Sequence, residues 1–208
     1  RITTDIIIGG GVAAAISAGF NAPLAGIIFA HEAILRHFSM KAITPIALAS
    51  GTAFAVHNYL WEASTPFLQS YSATEIGPMI LISIAAGPFF GLIALLFMFS
   101  ILMFSKLSGQ IGLTSFQSLL IAITGLSIIG TFYPEVMGLG TLTIINLTTE
   151  NALLIAALSI LIAKIIATAL SLGFGFFGGV FSPALLVGAA AGSVATAVVN
   201  WTGLYSFQ

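Results

Sequence analysis

Charged side chains are scarce in this chain of 208 residues: five Lys or Arg and six Asp or Glu make up 5% of the sequence. Soluble domains carry about 25% charged residues, so the composition excludes an ordinary water-soluble surface. Cysteine is absent, which excludes disulfides, thiol catalysis and cysteine-ligated metals. What the chain has instead is apolar, with 59% hydrophobic residues and a mean hydropathy of +1.15. These values predict an all-α, polytopic integral membrane protein whose solvent and partner is the lipid bilayer.

Residue patterns that support catalysis or cofactor binding are also missing. We find no acid pair, no Ser/His/Asp order, no phosphate loop and no metal cluster in the sequence. Gly9, Gly10 and Gly11 follow no predicted strand and precede no lysine, so they do not indicate a nucleotide site. The net charge of −1 gives no indication of a nucleic-acid partner. We therefore expect a protein that is not an enzyme and that uses no metal or cofactor.

Turn residues and the few charges divide the chain into apolar blocks of unequal length. The blocks are residues 6–20, 22–35, 42–60, 78–104, 116–132, 152–172 and 183–199. A perpendicular membrane span needs about 20 residues, so block 22–35 is too short, whereas block 78–104, kinked at Pro88, is long enough to lie tilted. Less apolar segments separate some blocks: a polar connector at 62–77, a loop at 106–115, and a short helix or loop at 138–151. Broken and tilted helices favour a transporter or a channel.

The stretch GFGFFGGVFSPALLVGAAAG at 173–192 is apolar, yet it opposes a continuous helix. Its glycines disfavour helix, and Pro183 fits the first turn of a new one. We therefore predict that one helix ends near residue 172, that the chain then runs extended, and that a second helix begins near residue 182 or 183. The first N–H groups of that helix, with the positive end of its dipole, form an anion site without a formal positive charge. The alternative is that the glycines only allow close packing between helices.

Three segments of the chain carry motifs in a defined order. They are GFNAPLAGIIFAHE at 19–32, FYPEVMGLG at 132–140, and KIIATALSLGFGFFGGVFSP at 164–183, which contains GGVFSP. In this order they resemble the F-N-A-P-L-A-G segment, the F-P-E-x-x-G-x-G turn and the G-x-F-x-P signature of the CLC family of chloride channels and chloride/proton antiporters. The resemblance covers nearly the whole chain, and several motifs in order are more specific than one.

The resemblance implies a CLC-type fold of tilted and broken helices that transports chloride and is expected in the cell membrane. It implies that the backbone amides of Val180 and Phe181 face a chloride ion. The expected anion-binding residues are Gly178, Gly179, Val180, Phe181, Ser182 and Pro183. Alternatives outside the family are a lipid-modifying intramembrane enzyme and a structural membrane subunit.

The resemblance also bears on assembly and completeness. Members of the family are homodimers, which implies that residues 22–35 and 42–60 contribute to a subunit contact. The family's serine motif and gating-glutamate motif would lie before Arg1, and its inner tyrosine after Gln208. We accordingly expect residues 1–208 to be a single transmembrane domain fragment, incomplete at both ends.

The residues after the F-N-A-P-L-A-G segment bear on whether transport is coupled to protons. Glu32 stands where antiporters of the family have the first of two adjacent acids, and Ala33 stands where they have the internal proton-transfer glutamate. Alanine cannot titrate, so the resemblance implies transport that is channel-like or weakly proton-coupled. The alternative is an antiporter that moves protons through another residue, Glu32 or His31.

Two charged residues also have expectations of their own. Glu32 is expected to pair with Arg36, which follows it at the helical i, i+4 spacing. Lys164, the one charge within block 152–172, is expected to extend its long side chain to a lipid headgroup; the alternative is that it attracts anions toward the pathway.

Overall fold

The computed structural model describes residues 3–60, 76–149 and 153–202. Within these ranges the chain forms helices, and no strand is found. The α-helices are α1 (Thr4–Phe20), α2 (Pro23–Phe29), α3 (Met40–Leu60), α4 (Ile76–Ile111), α5 (Ser115–Phe132), α6 (Thr141–Thr149), α7 (Leu154–Gly173) and α8 (Phe181–Thr202). A π-helix (Ala30–Leu35) continues α2, and a 3-10 helix (Pro134–Val136) follows α5. The all-α prediction is confirmed.

Several helices in the described ranges are long and apolar enough to cross a membrane. These are Ser83–Gln110 within α4, Ser115–Phe132, Leu154–Gly173 and Phe181–Trp201. Thr4–Phe20 and the combined run Pro23–Leu35 are shorter apolar helices. By length and composition, this is the polytopic membrane protein with unequal helices that the sequence predicts.

Contacts divide the chain into two compact units, Arg1–Ser70 and Tyr71–Gln208; the single domain expected from the sequence stays a prediction. In the first unit, α1 packs against α2 and α3. Small residues let these backbones approach: a Cβ on Gly26 would lie 2.5 Å from the carbonyl oxygen of Ala13. Such small-residue contacts are a common way to associate helices in lipid, where apolar burial provides little drive.

Side-chain hydroxyls add polar contacts inside this first unit. Ser17 on α1 donates to the carbonyl of Ser50 on α3 at 2.8 Å, and Ser50 Oγ donates to the carbonyl of Pro23 at 2.8 Å. Both serines are fully buried. The three helices are thus joined by two consecutive hydrogen bonds as well as by packing.

In the second unit, α7 packs against α4, α5 and α8, and α6 packs against α8. Their contact forms an apolar core with ten buried residues: Phe97, Ile144, Leu147, Ala157, Leu161, Leu186, Val187, Ala190, Ala191 and Val194. This core holds α7 and α8 side by side around the break between them.

One predicted loop is shorter in the structure. Residues 106–111 belong to α4 and α5 begins at Ser115, so within 106–115 only residues 112–114 are not helical. The prediction is wrong for 106–111, because polar residues are compatible with helix, and the chain turns at Gly112, where φ is +66°. A capping box between Thr114 and Gln117 then starts α5. Segment 138–151 contains the helix α6, and α4 passes through Pro88. Most of the predicted connector, residues 62–75, lies outside the described residues.

Candidate anion site

The predicted break between two apolar helices is present. α7 ends at Gly173, residues 174–180 are not helical, and α8 begins at Phe181. The end of α7 is a Schellman motif, in which the N–H of Phe176 bonds the carbonyl of Ser171 at 3.0 Å and the N–H of Gly175 bonds that of Leu172 at 3.4 Å. Gly175 has φ +98°, a conformation that residues with a Cβ rarely adopt.

Close helix packing does not account for the glycines nearest to α8. A Cβ on Gly179 would meet no atom within 4 Å, and one on Gly178 would meet only Leu172 Cδ2, at 3.7 Å. Gly173 behaves differently, since a Cβ there would lie 2.6 Å from Phe104 Cβ. The packing alternative therefore holds at the end of α7 but not at residues 178 and 179.

The start of α8 has the features of a helix N-terminus. The helix begins at Phe181, and the N–H of Ala184 donates to the carbonyl of Val180 at 3.0 Å, which is the i to i−4 bond of the first helical turn. Pro183 has no N–H to leave unpaired. Val180, directly before the helix, is 44% exposed in the described chain. The helix begins one or two residues earlier than the sequence predicts.

Ser182 joins this N-terminus to a neighbouring turn. Its Oγ donates to the carbonyl of Leu139 at 2.8 Å. Leu139 lies in the turn of residues 134–140, which follows α5, and Gly138 and Gly140 of that turn have φ +65° and +71°. The sequence indicates a turn through these glycines, but nothing in it indicates that the turn contacts the start of α8.

Lys164 also contacts the same turn. Its side chain is buried, with 4% exposed, and its Nζ donates to the carbonyls of Val136 at 2.6 Å and Gly138 at 3.1 Å. The prediction that this side chain extends to a lipid headgroup is therefore wrong. The physical reason is that unpaired carbonyls of an irregular turn, away from water, are strong acceptors for an ammonium group.

The other candidates lie in the first unit, Arg1–Ser70, and we describe them by themselves. His31 is buried in the π-helix, where its Nδ1 lies 2.9 Å from the carbonyl of Ile27 and its ring stacks on Phe38 at 5.3 Å. A carbonyl only accepts, so Nδ1 carries the proton and Nε2 is the basic nitrogen of the neutral ring. Nε2 is buried and has no hydrogen-bond partner among the described residues.

Glu32 and Ala33 are exposed in the described chain. The predicted pair between Glu32 and Arg36 is wrong: Arg36 ends the π-helix in the left-handed conformation with φ +57°, and no ion pair joins the two described side chains. Regular i, i+4 spacing requires an α-helix that continues to both residues, and this helix does not.

Comparisons with known proteins agree with the motif order. The family model described as voltage gated chloride channel matches residues 1–206. Chloride channel protein CLC-f of Arabidopsis thaliana is 31% identical over 204 residues, covering 88% of this chain and 25% of that protein. Voltage-gated ClC-type chloride channel ClcB of Escherichia coli (strain SMS-3-5 / SECEC) is 30% identical over 186 residues, covering 88% of this chain and 44% of the relative. The chain spans less than half the length of these two relatives, and no solved structure matches it.

Proposed function

Because this chain belongs to the voltage gated chloride channel family, we propose that it forms the part of a chloride pathway in which backbone amides hold the anion. The anion-binding residues of this proposal are Gly178, Gly179, Val180, Phe181, Ser182 and Pro183. The observation that carries it is the break at 174–180 between two apolar helices, followed by the start of α8 at Phe181. Family membership also supports transport over the lipid-modifying enzyme and structural-subunit alternatives.

Uncharged donors suit an ion that has to leave again. Residues 173–183 contain no Lys or Arg, so attraction there comes from N–H groups and the positive end of the α8 dipole. A fixed cation would hold chloride more tightly, whereas conduction needs a site that binds and releases. The lack of close packing at Gly178 and Gly179 supports a backbone that a ligand can approach.

We propose that transport is channel-like or only weakly proton-coupled, because Ala33 occupies the position of the internal proton-transfer acid in the antiporters that the chain resembles. The alternative is an antiporter that uses Glu32 or His31. The buried, unpartnered Nε2 of His31 and its place in a π-helix, a feature frequent at functional sites, favour His31 over the exposed Glu32 in that alternative.

The proposed assembly is the homodimer that the resemblance to the family implies. We propose a homodimer, with the α2 and π-helix run and α3 contributing to the subunit contact, and lipid around the rest. These helices expose large apolar side chains, among them Leu24, Ile28, Leu48, Val56 and Tyr59. The partners proposed are chloride or a similar small anion and the bilayer, and the complete pathway includes the parts of the protein beyond this chain.

The sharpest test replaces a backbone N–H without touching a side chain. In the full-length protein, the α-hydroxy acid analogue of residue 180 or 181 turns one amide into an ester. Loss of a hydrogen bond to a charged ligand is expected to weaken chloride binding on the order of tenfold, measured by isothermal titration. The matched control is the ester at Leu185, which lies within α8 beyond its first turn. Chloride affinity that is equal in all three esters and the wild type would exclude the amides of Val180 and Phe181 as ligands.

A further inference from the structure

Irregular backbone at residues 134–140 contacts both helices that flank the break. The 3-10 helix packs against α7, and a Cβ on Gly140 would lie 2.8 Å from Leu186 Cδ2 on α8. The carbonyl groups of such a turn lack the N–H donors that the next turn of an α-helix supplies. In a protein that spans lipid they need other donors.

Side chains from other helices serve more carbonyls of this turn than backbone donors do. Within residues 134–140, backbone N–H groups serve two carbonyls: Met137 donates to Pro134, and Ile144 donates to Gly140. Thr143 Oγ1 serves Glu135 at 2.8 Å, Lys164 Nζ serves Val136 and Gly138, and Ser182 Oγ serves Leu139. Lys164 and Ser182 are therefore the contacts that tie the turn to α7 and to α8.

The two contacts fall on neighbouring carbonyls. Gly138 accepts from Lys164 at 3.1 Å, and Leu139 accepts from Ser182 at 2.8 Å. These carbonyl groups belong to adjacent peptide planes that are joined at the Cα of Leu139, so a displacement of the first plane moves the atom to which the second is attached. Ser182 is the second residue of α8, where a shift of the hydroxyl moves the helix N-terminus.

We propose that Lys164 is a positioning residue for the anion site: through the turn and Ser182, it fixes the direction of the amides at the start of α8. This inference rests on the proposed function, in which those amides hold the anion. The ammonium group acts by holding two carbonyls of the turn in position through hydrogen bonds. It does not act by attracting the anion, since the described bonds direct two of its three N–H donors to the turn.

Positioning the turn and attracting the anion are two roles that differ in their effect on the selectivity between bromide and chloride. Chloride and bromide carry the same charge, so removing a distant positive charge changes both fluxes by nearly the same factor. Moving the backbone N–H donors at the start of α8 changes how well the site fits an ion of a given radius, so it affects chloride and bromide differently. The ratio of bromide flux to chloride flux therefore separates the two roles.

The experiment uses the full-length protein, reconstituted in vesicles, with halide efflux as the readout. Lys164→Met keeps an unbranched side chain, shorter by the terminal nitrogen, and removes the donors, whereas Lys164→Arg keeps donors and charge. Thr168→Val is the matched control, because Thr168 is also buried on α7 but donates only to the Lys164 carbonyl of its own helix, at 2.8 Å. Ser182→Ala, alone and combined with Lys164→Met, tests whether the two residues act through one turn.

The expected result is a bromide-to-chloride ratio changed by about threefold or more in Lys164→Met, restored toward the wild type in Lys164→Arg and unchanged in Thr168→Val; a lost hydrogen bond to a charged group is large enough for this. The effects of Lys164→Met and Ser182→Ala should not add, because residues in one network couple. An unchanged ratio with reduced flux, or additive effects, overturns the inference.

Three further outcomes are decisive as well. If Lys164→Met does not yield folded protein, Ser182→Ala decides alone, and an unchanged ratio in that variant overturns the inference. A wild-type protein without chloride flux overturns the proposed function and this inference with it. A wild type that transports chloride while the variants keep its ratio overturns the inference only.

Discussion

Gly173, the last residue of α7, lies so close to Phe104 of α4 that a Cβ on the glycine would be 2.6 Å from the Cβ of Phe104 and 2.9 Å from its carbonyl carbon. The rings of Phe104 and Phe174 meet edge to face beside this contact, with centroids 6.3 Å apart. The close approach holds the last residue of α7 against α4, directly before the irregular segment that leads to α8.

Substitution of Gly173 by alanine is therefore expected to destabilise the protein. The new methyl group meets the backbone of α4, which cannot move as a flexible side chain would, and overpacking of this kind costs about 1–3 kcal/mol. The measurement is the thermal midpoint in detergent. Gly192→Ala on α8 is the control, since its Cβ would meet nothing within 4 Å. Equal midpoints for the two variants would contradict the close contact.

The buried hydroxyl of Ser17 is expected to contribute to the stability of the first unit. Ser17→Ala removes its bond to the Ser50 carbonyl with little change of shape, so the free energy of unfolding should fall by about 1 kcal/mol. Thr52→Ala serves as the control, because the exposed Thr52 hydroxyl bonds only to carbonyls of its own helix. The prediction is wrong if both variants unfold at the same denaturant concentration.

An acid at position 33 is expected to raise proton coupling. Ala33→Glu in the full-length protein places a titratable group where the resembled antiporters have their internal proton-transfer glutamate, and Ala33 is exposed in the described chain, so there is room for it. The measurement is proton movement driven uphill by a chloride gradient in vesicles. Ala33→Gln has nearly the same size without the charge. Identical proton movement in the two variants would remove position 33 from the proton route.

Under the antiporter alternative, replacing His31 is expected to reduce proton transport. His31→Phe keeps a ring that can stack on Phe38 and removes the unpartnered Nε2, the only ring nitrogen able to take a further proton. The number of protons moved per chloride should then fall. Glu32→Gln provides the comparison for the exposed neighbour. A wild type that moves no protons, or a His31→Phe variant that moves as many as the wild type, excludes His31 as a relay.

Local sequence signals predicted the break in the membrane helices but not its surroundings. The glycines of 173–179 and Pro183 act on the backbone within a few residues, through φ freedom and the missing N–H, so the end of α7 and the start of α8 follow from them. The loop predicted at 106–115 came from polarity, which is a weaker signal, because polar residues also continue a helix that reaches the membrane surface. Gly112, with φ +66°, marks the true end.

The charged residues were predicted less well than the backbone. Glu32 and Arg36 have the spacing of an ion pair, but a π-helix and a left-handed Arg36 intervene. Lys164 has the reach of a headgroup-seeking side chain, yet its partners are carbonyls 26 and 28 residues earlier in the chain. In both cases the contacts of the side chain depend on the backbone: its local conformation at Arg36 for the first pair, and the position of a turn far along the chain for Lys164. Spacing in the sequence predicts neither.

Composition and local conformational preference act along the chain, so the amino-acid sequence was enough to predict the lipid environment, the helical class, the family and the place where two apolar helices separate. The contacts of Lys164 and Ser182 with consecutive carbonyls of one turn depend instead on how distant segments pack. The physical reason is that unpaired backbone acceptors in an apolar setting take whichever donor the packing of α7 and α8 brings to them.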